Sequence, residues 1–202
     1  VYKRQIYGSS GKLYEQIMNN APFDIYFSAD ISFPKKLKEN NMTASDVKSY
    51  GIGRIVIWSK IINPNIKKMN SLLSPEIKKI AIANPAHAPY GARAKESLIK
   101  YNLFSKVESR LVFGENISQT AQFVSSGAAD IGIIALSLAI SPNMQKEGGK
   151  YYVIPEDSHS PLEQGYVLLK NAKDNATAKA LYDFVITPQA IKILAFYGFK
   201  QK

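Results

Sequence analysis

The chain has 202 residues, 46% of them apolar and 21% charged, which suffices for a core and excludes intrinsic disorder. Its charge is +10, but lysines outnumber arginines 22 to 4, which points to a solvated lysine surface rather than the arginine contacts of nucleic-acid readers. No cysteine is present and no apolar run approaches about 18 residues, so disulfides, thiolate metal sites, cysteine nucleophiles and membrane-spanning helices are all excluded.

In chain order, residues 1–7 read as a strand that ends at the turn opened by Gly8. Residues 12–20 carry Leu13 and Ile17 at i,i+4 and read as a helix. Short apolar runs predict strands at 23–28, 54–58, 79–83, 110–113, 131–136, 151–154 and 166–169. Amphipathic runs predict helices at 92–101, 118–126, 176–186 and 188–197. Thr187 before Pro188 is a helix start, and Gly127 and Gly198 sit just past helix ends. Strands alternating with helices predict an α/β fold with largely parallel sheets.

Three strand-to-helix turns carry the chemistry. The first, Gly-Ser-Ser-Gly at 8–11, presents backbone N–H groups and the hydroxyls of Ser9 and Ser10 at a helix N-terminus, which taken alone reads as a helix N-cap with flexible glycines and also offers a ready anion site. It is not a hydrolase elbow, because Lys12 stands where Gly-x-Ser-x-Gly needs glycine. The second, Asn-Pro-Ala-His-Ala-Pro-Tyr-Gly at 84–91, puts Tyr90 and Gly91 at a helix start. Its His87 reads as a residue that shapes the loop, since the other histidine, His159, is distant and no carboxylate spacing suggests a metal. The third, at 114–117, pairs Asn116 with Gln119 in the spacing of a capping box, and Ile117 can contribute only its N–H. In open α/β folds ligands collect at the carboxyl ends of strands, so the three turns are expected to converge. Asp24, Asp30, Glu156 and Asp157 form no carboxylate dyad suited to acid–base chemistry.

These turns lie within a longer ordered series. It comprises Gly-Ser-Ser-Gly-Lys-Leu-Tyr at 8–14, Ala-Pro-Phe-Asp-Ile-Tyr-Phe-Ser-Ala-Asp at 21–30, the segment 84–91 and Gly-Glu-Asn-Ile-Ser-Gln-Thr at 114–120. Ile-Gly-Ile-Ile-Ala-Leu-Ser at 131–137 and Pro-Glu-Asp-Ser-His at 155–159 complete it. The series resembles the substrate-binding proteins of molybdate ABC transporters over essentially the whole chain.

The resemblance implies a two-lobed, type II periplasmic binding protein, with lobe 1 at 1–54 plus 168–202 and lobe 2 at 55–167. Crossing strands near 54–58 and 165–169 would join the lobes, which close on the ligand by a hinge. It implies that Ser10 binds an oxyanion through hydroxyl and N–H, with Ser9 beside it. Tyr90 and Ile117, with Asn116 at the same turn, would donate backbone N–H groups from the other lobe. The family's opening strand and helix, with a further ligand serine, have no counterpart here, so lobe 1 is expected to lack them. Where some members carry a ligand tyrosine this chain has Ala135, its hydroxyl lost or replaced by Ser137 or a backbone N–H.

The expected function is therefore that of a periplasmic, non-enzymatic receptor whose signal peptide is not in this sequence. It would bind molybdate or tungstate as ligand, need no cofactor or metal cation, act as a monomer without nucleic acid, and deliver its cargo to an inner-membrane ABC permease. Two rivals stand beside it. One is the oxyanion-sensing effector domain of a transcriptional regulator, which needs an upstream helix-turn-helix. The other is a hydrolase using Ser9 or Ser10 with His87 or His159, although no acid orients either histidine by spacing.

Overall fold

The computed structural model describes residues 4–201. The chain begins with α1 (Ser10–Met18), β1 (Ile25–Ser28), α2 (Ser32–Glu39), β2 (Lys48–Gly53) and β3 (Ile55–Ser59). It continues through α3 (Pro64–Lys67), β4 (Ile80–Ala83), α4 (Pro89–Lys100), α5 (Phe104–Val107), β5 (Leu111–Gly114) and α6 (Ile117–Ser125). Then follow β6 (Ile131–Ala135), α7 (Leu136–Ala139), α8 (Pro142–Lys146), β7 (Lys150–Val153), β8 (Leu162–Leu168), α9 (Ala176–Phe184) and α10 (Pro188–Phe196). No helix among the described residues is long and apolar enough to cross a membrane.

Two sheets result, ordered β1-β8-β2 and β5-β4-β6-β3-β7. The expectation of largely parallel pairing holds only for β4 with β5 and β6; the other pairings are antiparallel. Parallel neighbours need a crossover, which α4 and α6 supply. By contrast, β3 enters its sheet directly from β2 with only Arg54 between, so its direction is imposed by that step. Residues 162–167, read from sequence with the second lobe, pair instead with β1 and β2 in the smaller sheet.

Every residue of β3, β4 and β6 is buried, as expected for strands covered on both faces. The two-residue pleat sorts their side chains between two cores. Ile55 and Ile57 join Ile80, Ile82, Leu98 and Tyr90 on one face. Val56 and Trp58 join Ala81, Val124 and Ile134 on the other. Each such isoleucine or leucine contributes about 1.5–3 kcal/mol of burial. The smaller sheet packs Tyr166 and Leu168 against Tyr182 of α9. On its other face Tyr26 and Val167 pack against Ile17 of α1 and Leu37 of α2.

The opening segment, β2 and α2 depart from expectation, as do the short helices α3, α5, α7 and α8, which no sequence pattern predicted. Residues 4–7 of the predicted opening strand have no regular structure, and residues 1–3 lie outside the described residues. Strand β2 and helix α2 were absent from the sequence reading. The β2 segment contains Gly51 and Gly53 and is bulged between Ser49 and Gly51, so its apolar alternation is broken. In α2 the lysines mask a narrow apolar stripe, and Pro34 sits in the first turn, where it costs no hydrogen bond.

Candidate functional site

The loops after β4 and β5 end in the first turns of α4 and α6, and the N-terminus of α1 meets both. The Asn84 N–H donates to the Gly114 carbonyl at 2.8 Å, which ties the two loops together. From the α1 side, the Gly11 N–H donates to the His87 carbonyl at 3.0 Å, and Ser9 Oγ lies 2.9 Å from His87 Nδ1. Lys12 forms an ion pair with Glu115 of the third turn. The packing leaves no room for larger residues. A Cβ at Gly11 would stand 2.8 Å from the His87 carbonyl oxygen, and one at Gly91 would stand 2.0 Å from that of Ala83. Helix α1 belongs with the smaller sheet and the two loops with the larger, so the three predicted turns do converge, across the two sheets.

Helix starts leave backbone N–H groups without intrahelical partners. Here the N–H groups of Ser10, Tyr90 and Ile117 find no acceptor among the described residues. Ser9 is the N-cap of α1, yet its hydroxyl makes no capping bond. Ser10 is 7% exposed, and its Oγ accepts the Ala29 N–H at 3.0 Å. A hydroxyl that accepts from behind keeps its single proton for a partner in front. The Tyr26 hydroxyl donates to the Ser10 carbonyl at 2.6 Å and anchors the turn. Burial raises the Tyr26 phenol above its ordinary range, so it remains a donor.

Asn116 caps α6, its Oδ1 accepting the Gln119 N–H at 2.9 Å. The return bond of the expected capping box is displaced by one residue, because Gln119 Oε1 accepts from the Glu115 N–H at 2.6 Å. Ala135 ends β6 and packs in the same core as Tyr90 and Ile117. It offers no side-chain donor, and the following Leu136 N–H is committed to the Arg54 carbonyl at 2.9 Å. The Ser137 hydroxyl, in the first turn of α7, makes no hydrogen bond among the described residues.

The nearby cations are neutralised. Lys12 pairs with Glu115, whose carboxyl the lysine holds below the usual range. Arg93 of α4 reaches Asp30 at 3.4 Å and Glu96 at 2.5 Å. Burial pushes the Glu96 carboxyl up, but the Ser160 N–H and the Arg93 guanidinium outweigh that and hold it below the usual range. Attraction for an anion here comes from N–H groups and helix dipoles rather than from a free cation. Among the described residues, no group of three or more His, Cys, Asp or Glu side chains is placed to hold a metal ion.

The sequence reading missed the buried polar relay beneath Tyr90. The Tyr50 hydroxyl donates to Gln164 Oε1 at 2.6 Å, and Gln164 Nε2 donates to the Tyr90 hydroxyl at 2.7 Å. Burial pushes Tyr50 upward and Tyr90 up to about 12, so both phenols stay protonated. No periodic signal marks Gln164, because only the pairing of β8 with β2 brings it to Tyr50. The hydrolase rival gains a serine–histidine contact, Ser9 with His87. However, among the described residues no carboxylate is hydrogen-bonded to the His87 ring to complete a triad, and the His159 ring bonds only the Ser160 carbonyl, at 2.8 Å.

A family model described as a bacterial extracellular solute-binding protein matches residues 4–200. The molybdate-binding protein ModA of Rhodobacter capsulatus is 39% identical over 196 residues, covering 96% of this chain and 75% of that protein. The corresponding ModA of Azotobacter vinelandii is 37% identical over 194 residues, covering 96% and 77%. A solved structure of the Azotobacter vinelandii periplasmic molybdate-binding protein superposes with a TM-score of 0.86 at 31% identity, covering 96% of this chain and 85% of that one.

Proposed function

Because the chain belongs to the bacterial extracellular solute-binding protein family, we propose that it is a periplasmic, non-enzymatic receptor that binds molybdate or tungstate and delivers it to an inner-membrane ABC permease. The observation that carries this reading is the meeting of three helix starts whose Ser10, Tyr90 and Ile117 N–H groups lack acceptors among the described residues, beside a Ser10 hydroxyl held as a donor by Ala29. The relatives named ModA bear the molybdate-binding description.

The chemistry suits a fully ionised tetrahedral oxyanion. Each of its oxygens accepts, so a pocket made only of donors satisfies it, each charge-assisted bond contributing about 1.5–3 kcal/mol. Hydrogen phosphate would bring a proton to a site with no acceptor, which costs the desolvation of that donor. The ligand-binding set is Ser9, Ser10, Tyr90, Asn116 and Ile117, with Ala135 lining the adjoining wall without a donor. One lobe is built on β1, β2 and β8 and the other on β3 to β7. They are joined at Arg54 and before Leu162, and close as a hinge. The net charge of +10 speeds capture of an anion and plays no part in selecting it.

Calorimetric titration with molybdate, tungstate, sulfate and phosphate tests the reading. Saturable heat from the first two and none from phosphate is expected; no heat from either metal oxyanion overturns it. The effector-domain alternative shares this binding chemistry and has no observation in its favour.

A further inference from the structure

We propose that His87 is a positioning residue for the oxyanion site: by donating from Nδ1 to Ser9 Oγ, it turns the Ser9 O–H toward the ligand as a donor. The inference rests on the oxyanion-binding reading above. Its observations are the 2.9 Å contact between His87 Nδ1 and Ser9 Oγ, the 3% exposure of Ser9, and the missing capping bond.

An N-cap serine ordinarily accepts an N–H from its own helix. Ser9 instead faces a residue of the opposite loop, which leaves the Ser10 N–H at the start of α1 clear, the Gly11 N–H being taken by the His87 carbonyl, and makes His87 the partner that orients the hydroxyl. A serine hydroxyl has one proton. If His87 accepted that proton at Nδ1, Ser9 would present a lone pair to an anion and repel it. If His87 donates, the Ser9 proton is released toward the ligand. Ser10 shows the same arrangement in a form that admits no reversal, because the Ala29 backbone N–H behind it can only donate.

No hydrogen bond from a described residue to His87 Nε2 fixes the opposite tautomer, and the Glu115 carboxylate acts on the ring only electrostatically. The loop itself is held through main chain, by the Gly11 N–H on the His87 carbonyl and the Asn84 N–H on the Gly114 carbonyl. The imidazole is therefore separable from the loop's shape.

Molybdate titrations of the wild type, His87→Ala, His87→Asn, Ser9→Ala and the Ser9→Ala/His87→Ala double variant decide the matter, with thermal melting confirming that each is folded. His87→Ala and Ser9→Ala should each weaken binding by about tenfold, and the double variant should be within about twofold of Ser9→Ala alone. His87→Asn, whose amide N–H stands near the position of Nδ1–H, should stay within about threefold of wild type and serves as the second variant if His87→Ala fails to fold. Additive losses in the double variant, an asparagine as weak as alanine, or an unaffected Ser9→Ala would overturn the inference while leaving oxyanion binding intact. A wild type that binds neither molybdate nor tungstate overturns both.

Discussion

The backbone N–H of Ala29 donates to Ser10 Oγ at 3.0 Å, joining the end of β1 to the first residue of α1. A backbone N–H cannot accept, so the Ser10 proton is directed away from the Ala29 N–H whatever the ligand state. A flexible hydroxyl thus becomes a fixed donor, and the entropy of orienting it is lost during folding rather than on binding.

Ser10→Ala should weaken molybdate binding by about tenfold to a hundredfold, the value of one charge-assisted hydrogen bond. It also leaves the Ala29 N–H without its partner at a part-buried position, at a cost of about 1–3 kcal/mol. Calorimetry and denaturant unfolding of the same variant should therefore both shift. A loss of affinity without any loss of stability would contradict the orienting role of Ala29.

Gly91→Ala should damage the site from a distance. The added methyl would stand 2.0 Å from the Ala83 carbonyl oxygen, which is main chain at the end of buried β4 and cannot rotate away. The start of α4 must shift, carrying the Tyr90 N–H with it. The expected cost is about 1–3 kcal/mol or more in stability, with a parallel loss of affinity. Unfolding midpoints and titrations measure the two.

Glu96 supplies a pH dependence. Its carboxyl is held below the ordinary value by Ser160 and Arg93 against the opposing effect of burial, so the folded state binds a proton less readily than the unfolded. Stability from this group is complete above the ordinary value of 4.5 and declines as pH falls through the lowered folded value. Urea midpoints from about pH 6 to about pH 3 should show a steeper acid limb for the wild type than for Glu96→Gln. Because the group is partly exposed, the difference will shrink with added salt.

The relay Tyr50–Gln164–Tyr90 makes the opposite prediction at alkaline pH. Tyr90 is raised from 10.0 to about 12, so its stabilising contribution is complete below pH 10 and is lost as pH rises toward 12. Spectrophotometric titration should find its phenolate only near there or on unfolding. Gln164→Leu leaves the buried Tyr90 phenol without its partner and the part-buried Tyr50 hydroxyl with only the Ser28 carbonyl at 3.4 Å, and should cost about 1–3 kcal/mol in urea unfolding.

The turn residues were legible in sequence because their chemistry is local. Ser9 and Ser10 after Gly8, Tyr90 after Pro89, and Asn116 with Gln119 are helix-start signatures within a few residues, and each helix forms where they stand. The strongly apolar strands β3, β4 and β6 were equally plain, because burial on both faces leaves an uninterrupted hydrophobic run. Strand β2 and the role of Gln164 were not, since both depend on a partner more than 100 residues away, as the 114-residue separation of Tyr50 and Gln164 illustrates.

What the sequence determined by itself was the stock of donors: hydroxyls, N–H-rich helix starts, few arginines and no cysteine. Only the tertiary structure decided which way they point. It set Ala29 behind Ser10 and His87 behind Ser9, and paired Lys12 with Glu115 so that its charge is neutralised. Hydrogen-bond direction depends on what lies on the far side of a hydroxyl. At this site those neighbours come from other loops and the opposite sheet, beyond the reach of any periodicity along the chain.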